Sequence, residues 1–180
     1  MPAPTETGHP PPPPPVDIRP LAAADLPGLM AVQQACYGTG FLESAEVFGQ
    51  RLASPANCSL VAVEGDAVLA YLAAYRSMRG KVTALHGGFE APAGQPDTLY
   101  LHDMAVHPDC AGHGLAGALL EALWRDARAA RLRYSTLVSV QGSRPYWERR
   151  GYAVREPASP EARERLACYG AGAVYMERLL

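Results

Sequence analysis

Lysine is almost missing from this sequence. Fifteen of its sixteen basic residues are Arg and only Lys81 remains, a bias that reads as codon usage rather than chemistry. There is no excess of one charge either: sixteen basic against eighteen acidic residues give a formal net charge of −2. Nucleic-acid binders carry a basic surplus, so that class is set aside. No apolar run reaches the roughly 18 residues of a membrane span, and the N-terminus lacks the basic-then-apolar order of a signal peptide. A soluble cytoplasmic protein is expected. Cysteine is sparse and scattered at Cys36, Cys58, Cys110 and Cys168, with no CxxC pair. Such spacing gives no disulfide framework and no zinc site, and fits small buried hydrophobes in a reducing compartment.

What is present suits one domain: 180 residues, 48% of them hydrophobic. Eight of the first fifteen residues are Pro, including the run Pro10 to Pro15. Polyproline has no apolar face to bury, so residues 1–15 read as a disordered tail and residues 16–180 as the domain. Residues 16–21 read as a strand, 22–38 as a helix stopped by Gly38 and Gly40, and 43–54 as a second helix. Two apolar runs around Glu64-Gly65-Asp66 read as a hairpin. Residues 76–97 hold four Gly and two Pro and read as a long loop, a substrate lid or a surface insertion, with a short strand at Val82 to Leu85. The run 98–108 reads as a strand, 114–132 as a helix striped by Leu115, Leu119, Ala122 and Leu123, and 134–140 as a strand. Residues 143–151 read as a short helix capped by Ser143 and stopped by Gly151. The last strands fall near 152–156 and 173–180.

The most informative segment is Met104 to Leu123, where a strand enters a glycine-rich turn that opens a helix. Helix N-termini present unpaired N–H groups, and glycine lets that backbone approach a phosphate closely. Gly112 to Gly117 matches GxGxxG, yet the next strand ends in Ser139-Val140-Gln141 without the acid a dinucleotide site needs for ribose. No Lys-Ser/Thr follows, which excludes a P-loop. His102, His107 and His113 lack a metal-ligand spacing, so no metal is expected.

These residues resemble the GNAT superfamily of acyl-CoA N-acyltransferases. The resemblance rests on Val106-His107-Pro108 followed by Ala111-Gly112-His113-Gly114-Leu115-Ala116, and on Tyr146-Trp147-Glu148-Arg149-Arg150-Gly151-Tyr152, in the family's order. It covers roughly Val16 to Leu180. It implies an α/β fold, a single GNAT-type domain with a mixed, mostly antiparallel central sheet flanked by helices. It also implies acetyl-CoA as acyl donor, with its pyrophosphate on Ala111, Gly112, His113, Gly114, Leu115 and Ala116. Its pantetheine arm would lie along Met104, Ala105 and Val106, near Gln141 and Trp147. Two positions depart from the family: Ala111 stands where Gln or Arg is usual, and Trp147 where the acidic Tyr is usual.

Acetyl transfer to an amine requires a base for the amine and gains from an acid for the thiolate. His102 lies on the strand before the loop and titrates near neutrality in general (~6.5). The segment Tyr100 to His107 is similar to a strand of the aralkylamine N-acetyltransferases, in which two histidines line a proton path; His102 matches the second. Strict alternation puts Tyr100, His102 and Met104 on one face and Asp103 on the other, so Asp103 stands as a separate candidate base. Trp147 cannot protonate a thiolate. Either Tyr146, about 100° away around a helix, is recruited by a local shift, or the thiolate leaves without an acid. The expected activity is N-acetyl transfer to a primary amine, a small molecule ahead of a protein N-terminus, by direct attack in a ternary complex. The rivals are a degenerate acyl-CoA-sensing module and a dinucleotide-binding oxidoreductase. No nucleic-acid or membrane partner is expected, and the resemblance brings a homodimer into view.

Overall fold

The computed structural model describes residues 15–37 and 39–180. Apart from Pro15, the expected tail lies outside them, as does the expected helix stop at Gly38. The strands are β1 (Asp17–Pro20), β2 (Leu60–Glu64), β3 (Ala67–Ser77), β4 (Thr98–Val106), β5 (Tyr134–Ser139), β6 (Ala153–Val154) and β7 (Val174–Leu179). They form one sheet in the order β1-β2-β3-β4-β5-β7-β6. Every pairing is antiparallel except β4 with β5. The helices are α1 (Leu26–Cys36), α2 (Ala45–Ala53), α3 (Leu115–Ala129), α4 (Arg144–Glu148) and α5 (Pro160–Ala167).

The parallel step follows from α3, which carries the chain from the end of β4 back to the start of β5. Its stripe of Leu115, Leu119, Leu120, Leu123 and Trp124 is buried against Leu72, Leu99, Leu101, Leu137 and Met176 of the sheet. Each fully buried side chain of this kind contributes about 1.5–3 kcal/mol. The opposite face is covered by α1 and α2 over Val61, Tyr71, Tyr75 and Tyr100.

Four local expectations need correction. No strand forms at Val82–Leu85. The backbone there is bonded by side chains instead: the N–H of Thr83 donates to the Tyr100 hydroxyl, and the Thr83 carbonyl accepts from the Tyr169 hydroxyl at 2.7 Å. The strand near 152–156 is only two residues long. Helix α5 was not expected; its capping Ser159 and first-turn Pro160 are present, but a polar eight-residue segment shows little apolar periodicity. Ser143 precedes α4 yet does not cap it, because its backbone is already helical and its hydroxyl pairs with Ser139 at 3.0 Å.

Candidate active site

Strands β4 and β5 pair only from Thr98↔Tyr134 to Leu101↔Leu137. Beyond that point β4 runs on to Val106, while β5 ends at Ser139 and the chain turns away at Gln141 and Gly142, both at positive φ. The separation leaves a cleft of about 260 Å³ in the middle of the sheet. Met104, Gln141 and Trp147, the expected cofactor-side residues, line it beside Tyr146, the expected acid, together with Leu101 and Leu137. Ala105 faces away into the core beneath α1, and Val106 packs toward α3, so neither of these two expected cofactor residues lines the cleft.

The glycine turn lies exposed at the head of α3. Gly112 and Gly114 hold φ of 81° and 80°, a region that suits glycine. The N–H groups of Ala111 and His113 are used within the turn, bonding Pro108 and Cys110. Those of Gly112, Gly114, Leu115 and Ala116 find no acceptor among the described residues. Four free donors at a helix N-terminus fit a pyrophosphate.

Trp147 packs into the α3-side core, edge-on to Tyr152 and Tyr146. The Tyr146 hydroxyl is buried and finds no partner among the described residues. The Arg150 guanidinium lies 3.6 Å from its ring centroid. Burial pushes the Tyr146 phenol up, while Arg150 opposes the shift, so the hydroxyl keeps its proton near neutrality.

The largest departure from the expected geometry is in β4. Ala73 faces Asp103 and Ala74 faces Leu101, which leaves His102 as an extra, unpaired residue: a β-bulge. The expectation that His102 and Asp103 point to opposite faces is therefore wrong. Both side chains lie on the α1–α2 side, where His102 reaches Glu43 and Asp103 reaches Tyr37 and Tyr71. A sign of this is in the sequence: the apolar residues facing α3 are Leu99 and Leu101, then Met104 and Val106, a phase slip of one residue.

Sequence reasoning missed the partners of both groups. Glu43, just before α2, is almost fully buried and takes a two-pronged bond from Arg51, whose side chain is 1% exposed. It also accepts from the His86 backbone N–H at 2.8 Å and lies 3.2 Å from His102 Nε2 through each oxygen. Burial alone would raise the Glu43 pKa, but the bonds from Arg51 and His102 outweigh it and hold the carboxyl well below its usual range. An ionised Glu43 fixes the proton of a neutral His102 on Nε2. Nδ1 is then an acceptor, and it is buried without a partner among the described residues. Asp103 accepts from Tyr37 at 2.7 Å and Tyr71 at 2.5 Å. Burial raises its pKa, and the two hydroxyls pull it back only in part.

A second, smaller cavity of about 40 Å³ adjoins the cleft and shares Tyr37, His102 and Asp103 with it. The bulge thus sits where two spaces meet. His102 lines both spaces, whereas Tyr146 lines only the larger cleft.

A family model described as the acetyltransferase (GNAT) family matches residues 26–152. Among the curated proteins, no relative matches the sequence. Solved structures share the fold. The ribosomal-protein-S18-alanine N-acetyltransferase of Escherichia coli is 17% identical with a TM-score of 0.64, over 91% of this chain and 93% of that one. A GNAT family acetyltransferase from Brucella melitensis, solved with acetyl-CoA, is 24% identical with a TM-score of 0.55, over 77% and 82%. The PaiA N-acetyltransferase of Thermoplasma acidophilum, solved with coenzyme A, is 11% identical with a TM-score of 0.63, over 92% and 99%.

Proposed function

The chain belongs to the GNAT acetyltransferase family, and from that premise we propose that it transfers the acetyl group of acetyl-CoA to a primary amine by direct attack in a ternary complex. The observation that carries this reading is His102: an imidazole held at Nε2 by ionised Glu43, with Nδ1 buried and without a partner among the described residues, in a side chain that lines both cavities. The N–H groups of Gly112, Gly114, Leu115 and Ala116 bind the donor's pyrophosphate. The unpaired side of β4 beyond Leu101 receives the extended arm. Bound there, acetyl-CoA supplies an activated thioester carbonyl.

His102 Nδ1 takes a proton from the ammonium form of the acceptor, which frees the nitrogen lone pair to form the new C–N bond as the C–S bond breaks, and the nitrogen's second proton leaves to solvent as the amide forms. The Tyr146 hydroxyl gives its proton to the departing sulfur. This assigns the acid to Tyr146 and a packing role to Trp147. Asp103, hydrogen-bonded to two tyrosines, stands beside the base on the same face rather than competing from the other. A small amine is favoured over a protein N-terminus because the second cavity is narrow.

The test is the pH profile of acetyl transfer. Replacing His102 with Ala should lower turnover by about 10²–10⁴ and remove the lower pH limb, with acetyl-CoA affinity little changed. Identical profiles from about pH 6 to 9 would remove His102 from the mechanism. Acetyl-CoA binding without acetylated product from any amine would instead mark a sensing module.

A further inference from the structure

Resting on the acetyl-transfer reading, we propose that the second cavity is the acceptor site and that its ligand is a small primary ammonium ion with a short aliphatic substituent, its charge seated against Asp103. Three features of the cavity lead there.

The first is charge. Two carboxylates face this space, Glu43 and Asp103. They are not equivalent. Glu43 is matched by the fork of Arg51. Asp103 has hydroxyl partners but no cationic side chain within ion-pair distance among the described residues. A buried carboxylate without counter-charge favours an incoming cation.

The second is donor geometry. His102, 2% exposed, leaves Nδ1 without a donor among the described residues, on the same face as Asp103. A primary ammonium has three N–H groups. It can bond the carboxylate with one and Nδ1 with another, and the second bond is the path along which the proton leaves. An alcohol offers one donor and cannot do both.

The third is size and polarity. The far walls are Phe41, Leu85 and Tyr169. The cavity is about 40 Å³, and a single water occupies roughly 10–15 Å³ on that measure. The room is for a substituent of about three or four heavy atoms. Neither a peptide main chain nor an aromatic ring fits within it.

The test is ligand-observed NMR on the full-length protein with isobutylamine, isobutanol and phenethylamine. Isobutylamine should bind at least about tenfold tighter than isobutanol, since a hydrogen bond to a charged group contributes at that level. Asp103→Asn should erase the preference. Leu85→Trp, which fills the cavity from a half-buried wall, should abolish binding of both compounds even if the Asp103 variant fails to fold. Equal binding of amine and alcohol, no amine binding, or tighter binding of phenethylamine would overturn the proposal. The two readings separate cleanly. Amine binding with no acetylated product sinks acetyl transfer and leaves the site; undiminished amine acetylation by the Leu85→Trp variant sinks the site and leaves acetyl transfer.

Discussion

The two faces of the sheet are built from different materials. On the α3 side the core is aliphatic, dominated by leucines from β3, β4, β5 and the helix itself. On the α1–α2 side the same strands contribute Tyr71, Tyr75 and Tyr100, and these pack beside the buried charges of Arg51 and Glu43. The α3 face has few polar groups to satisfy, chiefly Trp124, Tyr152 and Ser135, which bond one another. The aromatic and ionic face must pair every polar group it buries, and it is there that Gln33 Nε2 and His102 Nδ1 are left over. One layer is mainly apolar packing, while the other is held by buried charge as well and leaves two polar atoms without partners among the described residues.

Removing one partner of the buried ion pair should have the largest effect. Arg51→Met leaves Glu43 buried and unpaired, and should cost about 3–5 kcal/mol in denaturant unfolding. Glu43 adds a pH signature. Its pKa is depressed in the fold, so its stabilising contribution is in place above the unfolded carboxylate value and is lost as pH falls toward the folded one. Acid titration of the wild type should therefore show stability falling with acid, and Glu43→Gln should flatten that slope.

On the opposite face, Leu120→Ala should cost about 2–5 kcal/mol by the same assay, with turnover per folded molecule unchanged. A shifted pH–rate profile in that variant would show that the faces are not independent. Glu43→Gln should lower turnover by about tenfold to a hundredfold, and ¹⁵N NMR should show the His102 proton redistributing from Nε2 to Nδ1. A merely structural Glu43 would leave that tautomer unmoved.

Gly114→Ala forces a left-handed residue at the head of α3. It should cost about 1–2 kcal/mol and weaken acetyl-CoA binding in calorimetric titration. The smallest effect carries the opposite sign. The Asp103 pKa is raised by burial, so its ionisation costs stability as pH rises from the unfolded carboxylate value through the folded one. Asp103→Asn should therefore raise the Tm at neutral pH, with the gain vanishing as pH falls to the unfolded carboxylate value, about pH 4. Acceptor binding should fall in the same variant, a local conflict between stability and function.

Much of this fold was legible because its long elements are periodic. The stripe of α3, the hairpin around Gly65 and the glycine turn all stand where pattern and turn chemistry put them. The site was less legible, for two physical reasons. Alternation assumes a period of two, and the bulge at His102 breaks it by one residue, turning two separate candidates into neighbours. Glu43 and Arg51 sit in and beside a polar, amphipathic helix, where charges ordinarily face water; only the tertiary fold shows that both are buried and that they meet His102. Tyr146 is intermediate. Its neighbour Trp147 fills the core, and the hydroxyl without a partner among the described residues belongs to the residue one position earlier.

The parting of β4 from β5 also bears on solubility. A strand with an open side normally sits at a sheet's rim, where a second protein can add itself and start an aggregate. Here the open side lies inside the sheet, with β3 continuing alongside β4 and β7 alongside β5. No other sheet can slide into a slot walled on both sides. Only a slender linear chain is thin enough to enter, so a shape suited to the proposed donor's arm also screens out the partners that make exposed strands hazardous.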